Sequence, residues 1–549
     1  MLIVCTQELC DDPHLFVDGA CSCDVVQGTL GNCWFVAACS ALAQEKVLWN
    51  KVIPDHKDQD WSTEDPKRYA GIFCFRFYRF GKWVEVVVDD RLPTIANQLL
   101  FLKSRDKNEF WGALLEKAYA KLAGSYEALD GGNLHDALVD FTGGVSETFE
   151  LREVCKEEEQ KSELFRIMKK EMDRHSLMCA AIAAASREEM EAQTEIGLVK
   201  GHAYGITAVR RVPLGESPFL LSLFSNREMI PMVRLRNPWG DKEWCGRFSD
   251  TSKEWEQVSQ TEKDKLGLTF DEDGEFWMLF EDFCIFFTDL SICRLVNTSV
   301  MSFSKTWCEA IFPGEWSQVT NRAGGCINQP ATALNNPQNS STVPSLTPRQ
   351  QYRFDITGDK DDVTMICLMQ EDCRSQKKEG RKNLIIGFTI YKVELNRKYR
   401  LHRLQERVKS SDFVAARSVF LRTSLAPGRY VVVPCTFTPG EEGRFLLRIY
   451  TDTNPEAREL TEDTPAPSIW PCIHYPCLVS RVTVLSASGL QKQDTFGSAD
   501  PYCVVKCEGK RVRTRVLCNT LDPTWGQSFL FYRTSSTSPI KFQVTLNDI

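Results

Sequence analysis

The sequence predicts a multidomain α+β protein: a two-lobed core of mixed helices and strands, followed by two successive β-sandwich segments. Three observations point there. The chain has 549 residues, too many for one hydrophobic core and enough for three or four domains. Up to about residue 297 helical and strand-like patterns are interleaved, whereas beyond it the pattern turns to short strands separated by turn residues. A hydrophobic content of 43% with 26% charged residues is that of an ordinary globular protein and excludes a disordered or fibrous chain.

The first lobe is expected over residues 1–132. It holds an alanine-rich helical run, Val36–Ala43, and a hairpin of Ile72–Tyr78 with Trp83–Val88 around Arg79-Phe80-Gly81-Lys82. A helix with apolar residues at helical spacing follows over Phe110–Leu122, and Gly131-Gly132 reads as a hinge. The second lobe, 133–297, combines a helix at Glu158–His175 with strands around His202 and Val233. A sandwich-like region, 298–462, has short strands at Val363–Met369, Leu384–Val393, Ser418–Thr423, Gly428–Val433 and Gly443–Tyr450. Its charged, net basic loop Glu371–Lys382 reads as solvated. A linker, 463–473, containing Pro465-Ala466-Pro467, leads to a last segment, 474–549.

The net charge of −8 argues against nucleic acid as a partner. The 22 cysteines are scattered with no C-x-x-C pair, so neither a zinc site nor a disulfide framework is expected, and a reducing cytoplasm suits the chain. Met1–Cys5 is too short for a signal-peptide apolar region. The longest apolar run, Leu177–Ala185, cannot span a bilayer, which takes about 20 residues. The expected location is cytoplasmic, with a membrane-associated fraction if a segment docks on lipid.

The chemistry centres on Gln27-Gly28-Thr29-Leu30-Gly31-Asn32-Cys33-Trp34-Phe35. It sets Cys33 at the mouth of the helical run, where unpaired N–H groups favour a thiolate over a thiol. Gln27 offers a side-chain amide that, with the Cys33 N–H, can hold the oxyanion of an acyl-transfer intermediate. A cysteine nucleophile needs a histidine base and a group to orient it, far downstream in sequence. His202, in Gly201-His202-Ala203-Tyr204-Gly205-Ile206, stands between a loop and an apolar run; Asn237, in Arg234-Leu235-Arg236-Asn237-Pro238-Trp239-Gly240, follows a short strand. His14, His56, His135 and His175 lie in polar settings and read as surface residues. The order Cys, His, Asn is that of papain-like enzymes.

QGTLGNCWF, GHAYGI and RLRNPWG together resemble the signature segments of the calpains, calcium-dependent intracellular cysteine proteases. The similarity continues through Tyr69–Phe73, Trp83–Asp90, Glu109–Ala120 and Asp273–Trp277. The resemblance implies catalytic roles for Cys33, His202 and Asn237, an oxyanion role for Gln27 and a gating role for Trp239. It implies one Ca²⁺ site per lobe: carbonyls of Val17 and Gly19 with carboxylates of Asp24 and Glu109, and Glu243, Asp250, Asp273 and Glu275 with a carbonyl of Asp271. Asp273 and Glu275 flank a glycine and would repel by roughly 4 kcal/mol if held about 4 Å apart at an effective dielectric of about 20; a cation removes that cost.

By the same resemblance, residues 298–462 are a calpain-type β-sandwich. Val482–Leu490, Ser498–Val505 and Thr520–Trp525 look like a C2 domain. No D-x-[DN]-x-[DN]-G loop occurs, which places the chain in the non-EF-hand branch and implies no EF-hand small subunit. The expected partners are protein substrates, with weak contact to membrane lipid through the C2 segment: its first loop supplies Asp494 and Asp500 as calcium ligands, and a complete domain would dock on anionic lipid through residues such as Lys492, Lys506 and Arg511, but this shortened segment is expected to be a poor calcium-dependent anchor. The chain is read as shortened at both ends, its C2 segment partial. The leading reading is a calcium-dependent endopeptidase performing limited proteolysis; its rivals are an inactive scaffold and a lipid-binding adaptor.

Overall fold

The computed structural model describes residues 2–61, 69–215, 228–297, 307–326, 349–402, 405–466, 475–491 and 499–546. They fall into two compact units, Met1–Ser304 together with Asp372–Lys382, and Lys305–Glu371 together with Asn383–Ile549.

In the first unit the helix Cys33–Ala43 has every residue from Trp34 to Ala43 buried. Asn32 precedes it, its carbonyl accepting the first helical hydrogen bonds from the N–H groups of Phe35 (2.8 Å) and Val36 (3.2 Å). The alanines leave room for close approach: a Cβ on Gly205 would sit 3.0 Å from the Ala37 carbonyl oxygen and 3.3 Å from the Ser40 Cβ. The neighbour is a six-stranded antiparallel sheet, ordered Glu275–Leu279, Met229–Arg236, His202–Pro213, Leu177–Ile182, Asp289–Arg294, Val145–Glu150. Its register pairs His202 with Ile182 and Gly205 with Arg236. Met178, Tyr204, Ile206, Val233, Leu235 and Phe276 fill the core on this sheet, each large apolar side chain contributing about 1.5–3 kcal/mol when fully buried. Leu164, Phe165 and Met168 of the helix Glu158–Met172 join them. That helix stops short of the expected His175, which takes a left-handed φ of 63°.

The hairpin forms over Ile72–Arg79 and Lys82–Asp89, and the helix after it over Trp111–Ala123. At the expected hinge, Gly131 has φ +64°, and a Cβ on Gly132 would collide with the Trp34 indole at 2.4 Å. The segment Asp372–Lys382 corrects the expectation of a solvated loop. Arg374 donates to Asp136 Oδ2 (3.0 Å) and to the carbonyls of Gly131 (2.9 Å) and Ala128 (3.3 Å), and its guanidinium lies 4.3 Å from the Trp34 ring centroid. Arg79 joins Asp372 to Asp140 at 2.6 and 3.0 Å. A basic run is held wherever buried carboxylates await it, and spacing along the chain does not reveal those carboxylates. A second correction concerns the cysteines: Cys21 and Cys23 form a disulfide, brought together by the turn at Ser22–Asp24.

The second unit contains a sandwich of a four-stranded sheet, ordered Cys308–Trp316, Gly443–Thr451, Asp362–Gln370, Ser418–Leu425, and a five-stranded sheet centred on Gly428–Thr436. Its core includes Trp316, Tyr352, Phe354, Ile366, Phe388 and Leu447. Cys308–Trp316 was not among the expected strands because Pro313-Gly314 interrupts its pattern; it lies at the sheet edge, where a missing ladder donor is tolerated. Tyr352–Ile356 and Glu406–Ser410 were also not expected. In the last segment, strands Leu478–Ser486 and Thr524–Arg533 pair, and Pro501–Cys507 lies between Lys510–Arg513 and Lys541–Leu546. Val484, Val505, Trp525, Phe529 and Phe531 form a small core. Lys492, Asp494, Ser498 and Pro467 lie outside the described residues, as does most of the expected linker.

Candidate active site

Cys33 is the first residue of its helix. Burial nevertheless pushes its thiol up, a trend only partly opposed by the backbone of Ala203 and Trp34. Desolvation thus outweighs the helix N-terminus, and the thiol form is favoured at rest. The Ala203 contact places the residue after His202 against the sulfur.

His202 opens its strand and is 2% exposed. Nε2 lies 2.8 Å from Asn237 Oδ1. The amide orientation of Asn237 is fixed on both sides, because Oδ1 also accepts from the Trp239 N–H (3.0 Å) while Nδ2 donates to the Lys242 carbonyl (3.0 Å). An acceptor facing Nε2 requires that nitrogen to carry the proton, which leaves the Nδ1 lone pair free. Nδ1 is buried with no hydrogen-bond partner among the described residues. Burial lowers the His202 pKa to about 4, the Asn237 hydrogen bond opposing it. The pair therefore rests as neutral thiol and neutral imidazole. Trp239 packs against His202, ring centroids 4.6 Å apart and planes tilted by 48°.

Gln27 donates from Nε2 to the Leu30 carbonyl (2.7 Å), and its N–H reaches the Pro238 carbonyl (2.8 Å). Its amide is engaged within its own turn. An amide nitrogen carries two hydrogens, and this contact uses one of them.

In the first lobe, carboxylate oxygens of Asp24, Asp106 and Glu109 lie within 4.8 Å of one another. Glu109 accepts from the Val17 N–H (2.8 Å) and Ser104 Oγ (2.7 Å); burial, then the Asp24 charge, pushes it up to about 8. Asp24 accepts from the Cys21 N–H at 2.6 Å. Asp18 and Gly19, both with positive φ, turn the chain beside Val17. In the second lobe Glu243 accepts from the Gly274 N–H at 2.6 Å, and Asp273 from the Glu275 N–H at 2.7 Å. Asp250 is pushed up to about 7 by burial and by Glu243, with smaller contributions from Asp273 and Asp271. Glu275 turns to Arg234 (3.2 Å) and accepts from Ser22 Oγ (3.4 Å). The first group is a set of partly desolvated carboxylates that a hard divalent cation would satisfy, and its donors fit Ca²⁺ in chemical type; among the described residues the second-lobe carboxylates form no such three-residue cluster.

Residues 5–294 match the calpain family cysteine proteases, residues 312–450 the calpain large subunit domain III, and residues 479–549 the C2 domain. Calpain-5 of Mus musculus is 50% identical over 546 residues, covering 98% of this chain and 82% of the relative. The chain belongs to the calpain family. This calpain is also 42% identical to calpain-5 of Caenorhabditis elegans over 98% of the chain and 83% of that relative. It is 39% identical to the human calpain-1 catalytic subunit over 84% of the chain and 62% of that relative. It is a cysteine protease of the non-EF-hand branch that ends in a C2 domain. No helix among the described residues is long and apolar enough to cross a membrane.

Of the remaining histidines, His14 meets Asp12, His175 meets Glu45 (2.8 Å), and His56 stands edge-on to Phe16 and Trp49. These contacts lie away from the His202–Asn237 pair. Sequence reasoning missed Asp106, three residues before Glu109, which the acidic spacing offered. It also missed Arg105, whose Nη2 donates to the carbonyls of Gly240 (2.8 Å) and Glu272 (3.1 Å) in the second lobe. No local signal marks an arginine for that reach.

Proposed function

We propose that this calpain is a calcium-dependent endopeptidase making limited cuts in protein substrates, with Cys33 as nucleophile, His202 as base and Asn237 as its orienting group. The observation that carries the reading is the free, buried Nδ1 of His202, its tautomer fixed by Asn237, on a strand packed against the Cys33 helix. During attack the Cys33 proton passes to Nδ1 as the sulfur–carbon bond forms. The imidazolium returns that proton to the leaving amine as the peptide C–N bond breaks, and water then hydrolyses the thioester. Gln27 and the Cys33 N–H receive the oxyanion. Trp239 keeps water from the His–Asn bond, whose strength rises as the imidazole gains charge.

Asp24, Asp106 and Glu109 would hold one cation, with the carbonyls of Val17 and Gly19; Glu243, Asp250 and Asp273 would hold another, with Asp271 and Glu275 beside them. Bound Ca²⁺ supplies charge neutralisation, not chemistry at the scissile bond. Arg105, between Asp106 of the first acidic group and Ser104, which donates to Glu109, also donates into the loops of the second lobe and joins the two regions. An ion that binds more tightly when the Cys33 lobe and the His202 lobe are brought together than when they are apart selects the joined state. The protein works in the cytoplasm, and its C2 segment contributes at most weak contact with anionic lipid. A calorimetric calcium titration paired with hydrolysis of a quenched peptide tests the reading. Two binding events and chelator-sensitive turnover are expected; full turnover in chelator refutes calcium dependence, and an active Cys33→Ala variant refutes the protease assignment.

A further inference from the structure

Glu116 is 1% exposed and lies in the middle of the helix Trp111–Ala123, outside the nucleophile, base and cation groups. Each carboxylate oxygen accepts one hydrogen bond: Oε1 from Asn32 Nδ2 at 2.6 Å, and Oε2 from the Leu102 N–H at 2.9 Å. Those donors belong to the two sides of a single structure. Asn32 precedes Cys33 and starts its helix, while Leu102 sits in the strap that pairs with the oxyanion turn. Val26 and Lys103 exchange backbone hydrogen bonds at 2.9 and 3.0 Å, and both the N–H and the hydroxyl of Thr29 donate to the Leu100 carbonyl at 3.1 Å. The approach is so close that a Cβ on Gly28 would sit 2.3 Å from the Phe101 carbonyl oxygen.

A carboxylate buried this deeply is costly. Desolvation pushes Glu116 up to about 7, opposed only by those two hydrogen bonds. A leucine or methionine would fill the space without that penalty, but it could not accept from Asn32 and Leu102 at once. Asn32 is 0% exposed and would be left with an unanswered amide.

We propose that Glu116 is a positioning residue for acyl transfer, clamping the turn Gln27–Cys33 to the strap 100–103 so that the Gln27 amide and the Cys33 N–H converge on one oxyanion. The inference rests on the Cys33 protease reading and adds a residue that touches neither substrate nor nucleophile. Its action is transmitted through Asn32. Geometry at the oxyanion matters for peptide cleavage and not for alkylation of the sulfur, since iodoacetamide develops no tetrahedral oxyanion on the carbon that the thiol attacks.

The test is the full chain carrying Glu116→Gln, which keeps the size but accepts from only one of the two donors. Four quantities are measured with calcium present: kcat and KM on a quenched peptide, the rate of Cys33 alkylation by iodoacetamide, and Tm. A misplacement of a fraction of an ångström to 1 Å at a reacting centre costs up to about a hundredfold. The expected result is a kcat lowered roughly ten- to a hundredfold, with KM and the alkylation rate each within about threefold of the parent. Asn32→Ala should produce a similar loss in kcat, and the double variant should lose no more than either single one, because both break the same clamp. Unchanged kcat in Glu116→Gln overturns the proposal. So does a fall in kcat and alkylation in parallel, which marks a general loss of structure, and so do multiplicative losses in the double variant. If Cys33→Ala retains turnover, the failure belongs to the protease reading instead.

Discussion

Replacing Asn237 by alanine probes the centre of the site most directly. The side chain makes three hydrogen bonds: from His202 Nε2 (2.8 Å), from the Trp239 N–H (3.0 Å) and to the Lys242 carbonyl (3.0 Å). Only the first changes during the reaction, because His202 begins neutral and becomes an imidazolium when it takes the Cys33 proton. A hydrogen bond to a charged group contributes about 1.5–3 kcal/mol, against about 0.5–1.5 for a neutral one. The excess in the transition state, with loss of the fixed tautomer, amounts to roughly 1.4–2.8 kcal/mol, or about ten- to a hundredfold in kcat. KM should hardly move, since the lost interaction strengthens only after binding. Initial rates on a quenched peptide at saturating calcium, with Tm recorded alongside, supply the check. Asn237→Asp should retain the acceptor toward Nε2 and raise the His202 pKa from about 4, moving the acid limb of the rate profile upward. An Asn237→Ala enzyme with parental kcat, in a chain that Cys33→Ser inactivates, would refute the base-orienting role.

Cys33→Ser should abolish turnover, with a loss on the order of 10⁶ in kcat, whereas Cys39→Ser, at a fully buried position on the same helix, should retain activity at some cost in stability; peptide mapping after epoxysuccinyl labelling checks which sulfur reacts. Acid should destabilise the first unit through His202. Its unfolded form gains a proton below about 6.5 while the folded form resists until about 4, so stability falls as the pH drops through that window. The loss approaches about 3 kcal/mol, and denaturant midpoints at pH 7 and pH 4.5, compared with His202→Gln, measure this residue's share. Arg374→Ala should cost about 3–5 kcal/mol, since it leaves the buried Asp136 carboxylate without its guanidinium; a Tm unchanged within a degree would contradict that.

The sequence by itself determined the fold class and the calpain resemblance and offered Cys33, His202 and Asn237 as candidates, because these rest on local patterns. An apolar helical run after Cys33, a strand opening at His202 and a proline turn after Asn237 are each written in consecutive residues. The main helix and hairpin positions followed from periodicity for the same reason. Three-dimensional packing decided what depends on neighbours distant in the chain. Cys33 rests as a thiol because burial outweighs the opposing backbone contacts of Ala203 and Trp34, and desolvation is set by what covers a group, not by its own segment. The basic loop at Arg374 is held by Asp136, 238 residues earlier. Glu275, expected among the cation ligands, turns toward Arg234 on the adjacent strand, a cross-strand encounter fixed by sheet register. Glu116 reads in sequence as one polar position on an amphipathic helix. Only the fold brings Asn32 and Leu102 to its two oxygens, and a hydrogen bond across 84 residues leaves no periodic trace in the chain that forms it.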